Sequence, residues 1–367
     1  MVTGAVDPGR RIPARHVLAE ARPVMTTAYL SGHPAWTTQA CAQADAVIEL
    51  LLKYRRAFAG DNVVERKGGG TAALDRLRLR PQWIRVLDFV LGDEPIDFAL
   101  PAFPCKSPNG DKVAGTLPDE GERLGLQTLQ KLCDEIEAIH SPGARVTICS
   151  DGHVFADVIG VADATVSAYK DELKQMIRAE GLSRLETFDL RDMWGEQEID
   201  DKRARLEHGW MDSIADLRER ARTDGEVARV IRGMTRFLRE DAGHTAGTPS
   251  QKQREAKRRA YRVLARSRAW GAIVQNLMPR AVRLSIHPQP LGEDKFGISL
   301  VPLTKSDGGW TTPWHSVVLY DQAGTPCLVR HDEARATGFP EMRGGRIWCY
   351  RKHAVADVAR ESTGPAG

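Results

Sequence analysis

The chain has 367 residues, with 52 lysines and arginines against 49 aspartates and glutamates and a formal net charge of +3. A hydrophobic share of 42% with 28% charged residues excludes wholesale disorder, and the near-neutral total disfavours a protein dedicated to nucleic acid. No apolar run is long enough for a membrane span, the N-terminus lacks the apolar core of a secretory signal, and the six cysteines are scattered. We therefore expect a cytoplasmic protein with reduced thiols.

The first half of the chain alternates helical and strand patterns. Residues 1–35 are rich in proline and are predicted to form a flexible arm. Predicted elements then follow in the order helix Thr38–Phe58, a basic glycine-rich loop with Arg66 and Lys67, strand Ile96–Phe103, helix Asp119–His140, strand Ala144–Cys149, helix Asp163–Glu180 and strand Leu185–Leu190. This order predicts an α/β fold, a Rossmann-like and mostly parallel sheet flanked by helices. Reactive groups in such a sheet are expected at the carboxyl ends of the strands.

The second half begins with a change of character. Residues 191–280 are charge-dense and predict a helical subdomain, whose basic run Lys252–Arg268 we interpret as a solvated helix face rather than a nucleic-acid site. Strand patterns return at Val282–Ile286, Phe296–Leu300, Ser316–Tyr320 and Cys327–Val329, with a hairpin turn at Ala323-Gly324. The predicted organisation is an arm (1–35), an α/β core in two parts (36–190 and 281–352) around the helical subdomain (191–280), and a tail (353–367).

A proline-rich loop follows the first predicted strand. In the stretch LPAFPCKSPN the prolines restrict the backbone, while Lys106, Ser107 and Asn109 offer a charge and hydrogen-bonding groups, and Lys112 extends the same loop. Such a loop suits an anionic or hydroxylated ligand, and a plain surface turn is the equal alternative. Cys105 is a weak nucleophile candidate because the sequence names no partner that would activate it.

A second polar segment follows the buried strand Ala144–Cys149. Asp151 can orient an amine or act as a base, and Gly152 permits close approach of another backbone. An ordinary Asp-Gly turn is the alternative interpretation.

Two further segments lie near the C-terminus. Arg283, Ser285 and His287 alternate with apolar residues and share one strand face, which is either a functional face or the wet side of an edge strand. Trp314 and His315 predict an aromatic pocket wall with a titratable group, or alternatively a buried tryptophan beside a satisfied histidine. The histidines show no metal-ligand spacing, so no metal site is indicated.

These segments, taken in order, resemble the pyoverdine/dityrosine biosynthesis family of isocyanide (isonitrile) synthases. The matching stretches are LPAFPCKSPN, KVAGTLPDEGE, PGARVTICSDGHVFAD, RLSIHPQP and TPWHSVVL. The resemblance covers about Asp45 to Arg351. The chain departs from the family pattern at Cys105, where a larger residue is expected, and at Ser316, where glycine is common.

The resemblance implies a cofactor-independent lyase. The α-amino group of an L-amino acid, tyrosine or tryptophan, would take one carbon from C2 of ribulose 5-phosphate and become an isonitrile. A separate iron/2-oxoglutarate oxygenase would act downstream, and neither nucleic acid nor a membrane is an expected partner. A non-catalytic sugar-phosphate-binding protein of the same fold and a lyase on a different pentose phosphate stay open as alternatives.

The resemblance also implies roles for particular residues. Proton transfers are expected from His287, His315, Asp151 and Lys106. Expected to bind the sugar phosphate are Lys106, Lys112, Arg283 and Lys295, together with Ser107 and Asn109. Candidates for the amino-acid carboxylate are Arg66, Lys67 and Arg346, and Phe103 and Trp314 are expected to contact an aromatic side chain.

Overall fold

The computed structural model describes residues 37–56, 77–242, 247–301 and 311–353. The predicted N-terminal arm, the loop with Arg66 and Lys67, and the predicted tail beyond residue 353 lie outside these ranges. Within the described part, none of the helices combines the length and apolarity needed to cross a membrane.

Five parallel strands form the centre of the fold. They are β1 (Ile96–Leu100), β2 (Ala144–Cys149), β3 (Leu185–Phe188), β4 (Val282–Ser285) and β5 (Lys295–Gly297), in the spatial order β3-β2-β1-β4-β5. The apolar residues of β1 and β2 are buried, as expected for a parallel sheet covered on both faces. The predicted α/β class with a mostly parallel, helix-flanked sheet is confirmed.

Five of the described helices that flank this sheet precede β3 in the chain. They are α1 (Thr38–Lys53), α2 (Arg80–Leu91), α3 (Glu120–Glu137), α4 (Gly152–Ile159) and α5 (Asp163–Ala179). The side chain of Thr37 accepts a hydrogen bond from the Ala40 amide, and Asp119 and Glu122 form a capping box at the start of α3. Helix α2 was not predicted from the sequence.

Only helices connect β3 to β4 in the described residues. They are α6 (Leu190–Trp194), α7 (Ile199–Trp210), α8 (Ile214–Thr223), α9 (Gly225–Asp241) and α10 (Pro249–Leu277). Much of the basic run on α10 is neutralised locally, because Arg258 and Arg259 pair with Glu255. Arg266 is buried and pairs with Asp157 and Glu207. The division of the chain into domains stays a prediction.

A second, four-stranded sheet lies at the C-terminal end of the chain. Its elements are a 3₁₀ helix (Pro313–His315), β6 (Val317–Tyr320), β7 (Pro326–Val329), α11 (His331–Thr337), β8 (Gly338–Arg343) and β9 (Arg346–Lys352), with the strands in the order β7-β6-β9-β8. The sequence analysis found β6 and β7 but neither the pair β8–β9 nor a separate sheet.

Two predicted elements are shorter than expected, for identifiable reasons. Strand β1 ends at Leu100 because the following prolines lack the N–H group that a sheet ladder needs. Helix α1 ends at Lys53, after which the amide of Arg56 donates to the carbonyl of Gly297 at 2.9 Å. The chain thereby leaves the helix and runs along β5.

Candidate active site at the carboxyl end of the parallel sheet

The strand order places a crevice between β1 and β4. From β1 the chain adds β2 and β3 on one side and later β4 and β5 on the other, so the order reverses between β1 and β4. Open α/β sheets bind ligands at such a reversal, beyond the carboxyl ends of the strands. A cavity of about 210 Å³ lies at this point.

Two chemically different surfaces line the cavity. The first, here called the strand-end wall, comprises Asp151, Ser285, His287, Lys295 and His315, which follow or begin strands or lie in the 3₁₀ helix. The second, here called the helix wall, comprises Phe155, Ile159, Met234, Phe237, Leu238 and Val263 from α4, α9 and α10. Trp270 and Trp314 also line the cavity. The titratable lining residues therefore come from strand ends and the 3₁₀ helix, whereas the helices contribute mainly apolar side chains.

Asp151 is held in the cavity by close packing of two strand-end loops. A Cβ atom on Gly152 would lie 2.0 Å from the carbonyl oxygen of Pro104, so only glycine permits this approach. The hydroxyl of Ser150 donates to the carbonyl of Phe103 at 3.0 Å and joins the same loops. Burial raises the pKa of Asp151 to about 7, and its carboxyl group forms no ion pair within the described residues. A carboxyl group with this pKa can accept and return a proton near neutral pH.

His287 and Lys295 approach the cavity from β4 and β5. His287 follows the end of β4, where its amide donates to the Ser285 hydroxyl at 3.1 Å. Arg283 is the register partner of Lys295 in the pair β4–β5, but it is not among the lining residues, because its guanidinium binds Gln275, Asp294 and the carbonyl of Gly271. Of the three polar residues predicted on one face of this strand, Ser285 and His287 line the cavity, whereas Arg283 does not.

His315 is a neutral imidazole with both ring nitrogens oriented by the protein. Its Nδ1 lies 2.9 Å from the Thr312 hydroxyl, and its Nε2 lies 3.9 Å from Oδ2 of Asp241. Burial, aided by the charge of Lys112, lowers the pKa of His315 well below its usual value. The edge of the Phe237 ring packs against the imidazole at a centroid distance of 4.7 Å. His315 can therefore act as a hydrogen-bonding base at neutral pH.

Asp241, at the end of α9, is a residue that the sequence analysis missed. Its Oδ1 accepts hydrogen bonds from Lys112 Nζ at 2.6 Å and from the Ser107 hydroxyl at 2.9 Å. The Asn109 side-chain amide donates to the adjacent carbonyl of Glu240 at 2.8 Å. These contacts fix the proline-rich loop to the helix wall beside His315. Nothing in the local sequence marks an acidic residue at a helix end as part of a site, so only the tertiary structure reveals it.

Lys106 lies behind the strand-end wall rather than in it. Its amine is fully buried and contacts Asp119 Oδ2 at 2.7 Å, Glu122 Oε2 at 2.8 Å and the carbonyl of Pro313 at 2.9 Å. The paired carboxylates raise the pKa of Lys106 despite the opposing effect of burial. These contacts indicate a residue that positions the Pro313–His315 helix, and the predicted proton-transfer role of Lys106 stays untested.

Three other predicted residues lie at varying distances from the cavity. Trp314 lines it directly, whereas Phe103 is buried behind Trp314 with a ring-centroid distance of 5.1 Å. Arg346 lies on β9, where it pairs with Glu172 at 2.5 Å and does not line the cavity. The substrate-binding roles predicted for Phe103, Arg346, Arg66 and Lys67 stay predictions.

The described part of the chain offers neither an activated thiol at Cys105 nor a cluster of metal-ligating side chains. Burial raises the pKa of Cys105 to about 12, so the thiol is protonated at neutral pH. No three histidine, cysteine, aspartate or glutamate side chains of the described ranges are grouped closely enough to hold a metal ion.

Comparison with known proteins identifies the family. The family model described as pyoverdine/dityrosine biosynthesis protein matches residues 86–341. The chain is 40% identical over 317 residues to an L-tyrosine isonitrile synthase of Pseudomonas aeruginosa, covering 84% of this chain and 94% of that protein. It is 39% identical to L-tryptophan isonitrile synthase AmbI2 of Fischerella ambigua over 247 residues, 67% of this chain and 74% of that protein. The crystal structure of the PvcA protein from Pseudomonas aeruginosa superposes with a TM-score of 0.77 at 37% identity, covering 85% of this chain and all of that one. The chain therefore belongs to the pyoverdine/dityrosine biosynthesis family.

Proposed function

We propose that this protein is an isonitrile synthase that acts on an aromatic L-amino acid and takes its new carbon from C2 of ribulose 5-phosphate. The observation that carries the proposal is the lining of the cavity, which combines titratable groups at strand ends with apolar side chains of the helices. Relatives of this length that act on tyrosine or tryptophan support the same reaction class.

The chemistry requires a neutral amine and several proton transfers. An α-amino group has a pKa of roughly 7.7–8.0, so a nearby base is needed to complete its deprotonation at neutral pH. Asp151 meets this requirement, because its pKa of about 7 lies close to that of the amine. The amine adds to the C2 ketone and water leaves as an imine forms. Later carbon–carbon cleavage and loss of phosphate require further acids and bases, for which His287 and His315 are the candidates.

The helix wall suits the side chain of the amino acid. Phe155, Met234 and Val263 give the same cavity that Lys295 and Asp151 line an apolar and polarisable surface. An aromatic side chain placed there leaves the amino group facing the strand-end wall. We therefore propose tyrosine or tryptophan as the amino acid, and a separate oxygenase, dependent on iron and 2-oxoglutarate, as the enzyme that consumes the isonitrile.

The test is a substrate screen with a matched pair of variants. Purified protein is incubated with ribulose 5-phosphate and each of the twenty amino acids, and mass spectrometry looks for a product that gains one carbon and loses two hydrogens. Each reaction has a control without the sugar. Asp151→Asn should lower the rate of product formation by about 10²-fold or more, whereas Asp171→Asn, a change on the exposed surface of α5, should not. Absence of a sugar-dependent product from all twenty amino acids, with folded protein, would reject the proposal.

A further inference from the structure

The three lysines near the site differ in what their amines contact. Lys106 contacts two carboxylates and a carbonyl, and Lys112 contacts Asp241 at 2.6 Å with Glu240 at 3.9 Å. Lys295 lines the cavity, and within the described ranges its amine has neither an ion-pair nor a hydrogen-bond partner. Lys106 and Lys112 are therefore paired with protein carboxylates, whereas Lys295 lines the space where substrate would lie.

Asp294, the carboxylate next to Lys295 in the sequence, forms ion pairs with two arginines. Oδ1 of Asp294 lies 2.7 Å from Arg85, and Oδ2 lies 3.2 Å from Arg283. Arg283 is also the register partner of Lys295 across the parallel pair β4–β5. The Lys295 side chain is thus partly buried beside a cation, and the acidic residue next to it in the sequence is already paired.

Such surroundings favour the neutral, nucleophilic form of an amine. Burial and the neighbouring charge of Arg283 both lower the pKa of Lys295. Lysines that attack carbonyl substrates are activated in the same way, by desolvation and by an adjacent cation. Asp151 and His287 line the same cavity and can carry the protons that such an attack moves.

We propose that Lys295 forms a covalent imine with the C2 ketone of ribulose 5-phosphate before the amino acid reacts. The proposal rests on the proposed function and replaces the phosphate-binding role that the family resemblance implied for Lys295. The lone pair of Nζ forms a bond to C2, the carbonyl π electrons move to oxygen, and after proton transfer this oxygen leaves as water. The product is a protonated imine, formed without oxidation or reduction.

The amino acid then displaces the lysine. Its neutral α-amine adds to C2, and a proton passes from the incoming nitrogen to Nζ. The bond from C2 to Nζ then breaks with its electron pair returning to Nζ, which leaves as a neutral amine. Lys295 is regenerated, and the sugar carbon is now joined to the nitrogen of the amino acid. A protonated imine is more electrophilic than the ketone it replaces, so the enzyme gains an activated carbon at C2.

Hydride trapping tests this step directly. The full-length protein is incubated with ribulose 5-phosphate and sodium cyanoborohydride without any amino acid, digested, and mapped by mass spectrometry. We expect Lys295 to carry the sugar phosphate less one water plus two hydrogens. Lys131, whose side chain is 69% exposed, reports the background of non-enzymatic reaction on surface lysines.

Two variants distinguish imine formation by Lys295 from a role in which its positive charge alone binds the phosphate. Lys295→Arg keeps the cation but cannot form the imine, and Lys295→Gln removes both. We expect both variants to have the melting temperature of the wild type and to lose turnover by at least about 10³-fold. The arginine variant should also retain its affinity for the sugar phosphate within a few-fold.

Every outcome bears on the proposal. Trapping at Lys295 above the Lys131 background, with an inactive arginine variant, supports it. Isonitrile formation by wild-type protein without trapping at Lys295, or substantial turnover by Lys295→Arg, overturns it and leaves the proposed function standing. The latter result is what a phosphate-binding lysine would give. Trapping at Lys295 without isonitrile from any of the twenty amino acids would support the imine and reject the proposed function.

Discussion

The two walls of the cavity differ in origin and in chemistry. The strand-end wall is built from residues that leave the parallel sheet, and its backbone is held by hydrogen bonds and by the close approach of Pro104 to Gly152. The helix wall comes from α4, α9 and α10 and contacts the cavity through apolar side chains. We infer from this difference that the two walls have separate roles. The sheet edge holds the reacting groups, and the helices determine which amino acid fits. The predictions below test that division.

The largest expected effect lies behind the strand-end wall, at Lys106. Replacing it by methionine leaves Asp119 and Glu122 buried without their cation, so the free energy of unfolding should fall by about 3–5 kcal/mol. Urea unfolding measures the loss. Lys131→Met, at an exposed lysine on α3, should change stability by less than about 0.5 kcal/mol. Equal effects of the two substitutions would show that the buried ion pairs do not support this wall.

The next effect concerns turnover at the strand-end wall. Asp151→Asn keeps the shape of the side chain but removes the base, so turnover should fall by about 10²-fold or more. In the wild type, kcat/KM should rise with pH through about 7 as the Asp151 carboxyl group ionises, and this limb should vanish in the variant. Initial rates between pH 5.5 and 8.5 provide the measurement, and an unchanged pH profile in the asparagine variant would remove Asp151 from the reaction.

Asp241 tests whether the two walls depend on each other. Asp241→Asn weakens the contacts to Lys112 and Ser107 and removes the carboxylate facing His315, so turnover should fall by about 10-fold. The melting temperature should also fall, because the buried Lys112 amine loses its paired carboxylate. Without that carboxylate the pKa of His315 should fall further. Titration of the histidine by NMR distinguishes this positioning role from a loss of structure.

A substitution on the helix wall should change selectivity instead of the chemical step. Met234→Ala enlarges the apolar side of the cavity and should alter the ratio of kcat/KM for tryptophan over tyrosine by about 10-fold. Val230→Ala, at an exposed position on the same helix, should leave that ratio unchanged. A uniform loss of turnover with both amino acids would contradict the division between the walls.

The smallest expected effect is on stability and has a defined sign. Because burial raises the pKa of Asp151 from 3.8 to about 7, the unfolded chain loses this proton first and stability falls as the pH rises from about 4 to about 7. Asp151→Asn should therefore raise the melting temperature at pH 8 by about 2–4 °C and have little effect near pH 4. Scanning calorimetry at the two pH values measures this, and equal shifts at both would contradict the assignment.

Much of the sheet was predictable because its strands are short apolar runs. Strand β2 has the predicted bounds Ala144–Cys149, and the cavity lies at the strand ends where chemistry was expected. Strand β8 was missed because its side chains are mostly exposed, so neither an apolar run nor an alternating pattern marks it. The separate second sheet follows from pairing between distant segments, which periodicity does not encode.

The site was predictable only for residues that lie next to strand ends in the sequence. Asp151, His287, Lys295 and His315 all line the cavity. Asp241 and the helix wall escaped prediction because their position depends on how α9 and α10 pack over the sheet. In the same way, the sequence cannot distinguish a lysine buried among carboxylates, such as Lys106, from one that faces the cavity.

The central claim is that the cavity joins a sugar carbon to the nitrogen of an aromatic amino acid. Ribulose 5-phosphate labelled with ¹³C at C2 tests it most directly, in a reaction with the amino acid that the substrate screen selects. We predict that the label appears in the isonitrile carbon of the product with wild-type protein and is incorporated at least about 10²-fold more slowly with Asp151→Asn. An unlabelled isonitrile carbon, or label incorporated equally by both proteins, would contradict the account.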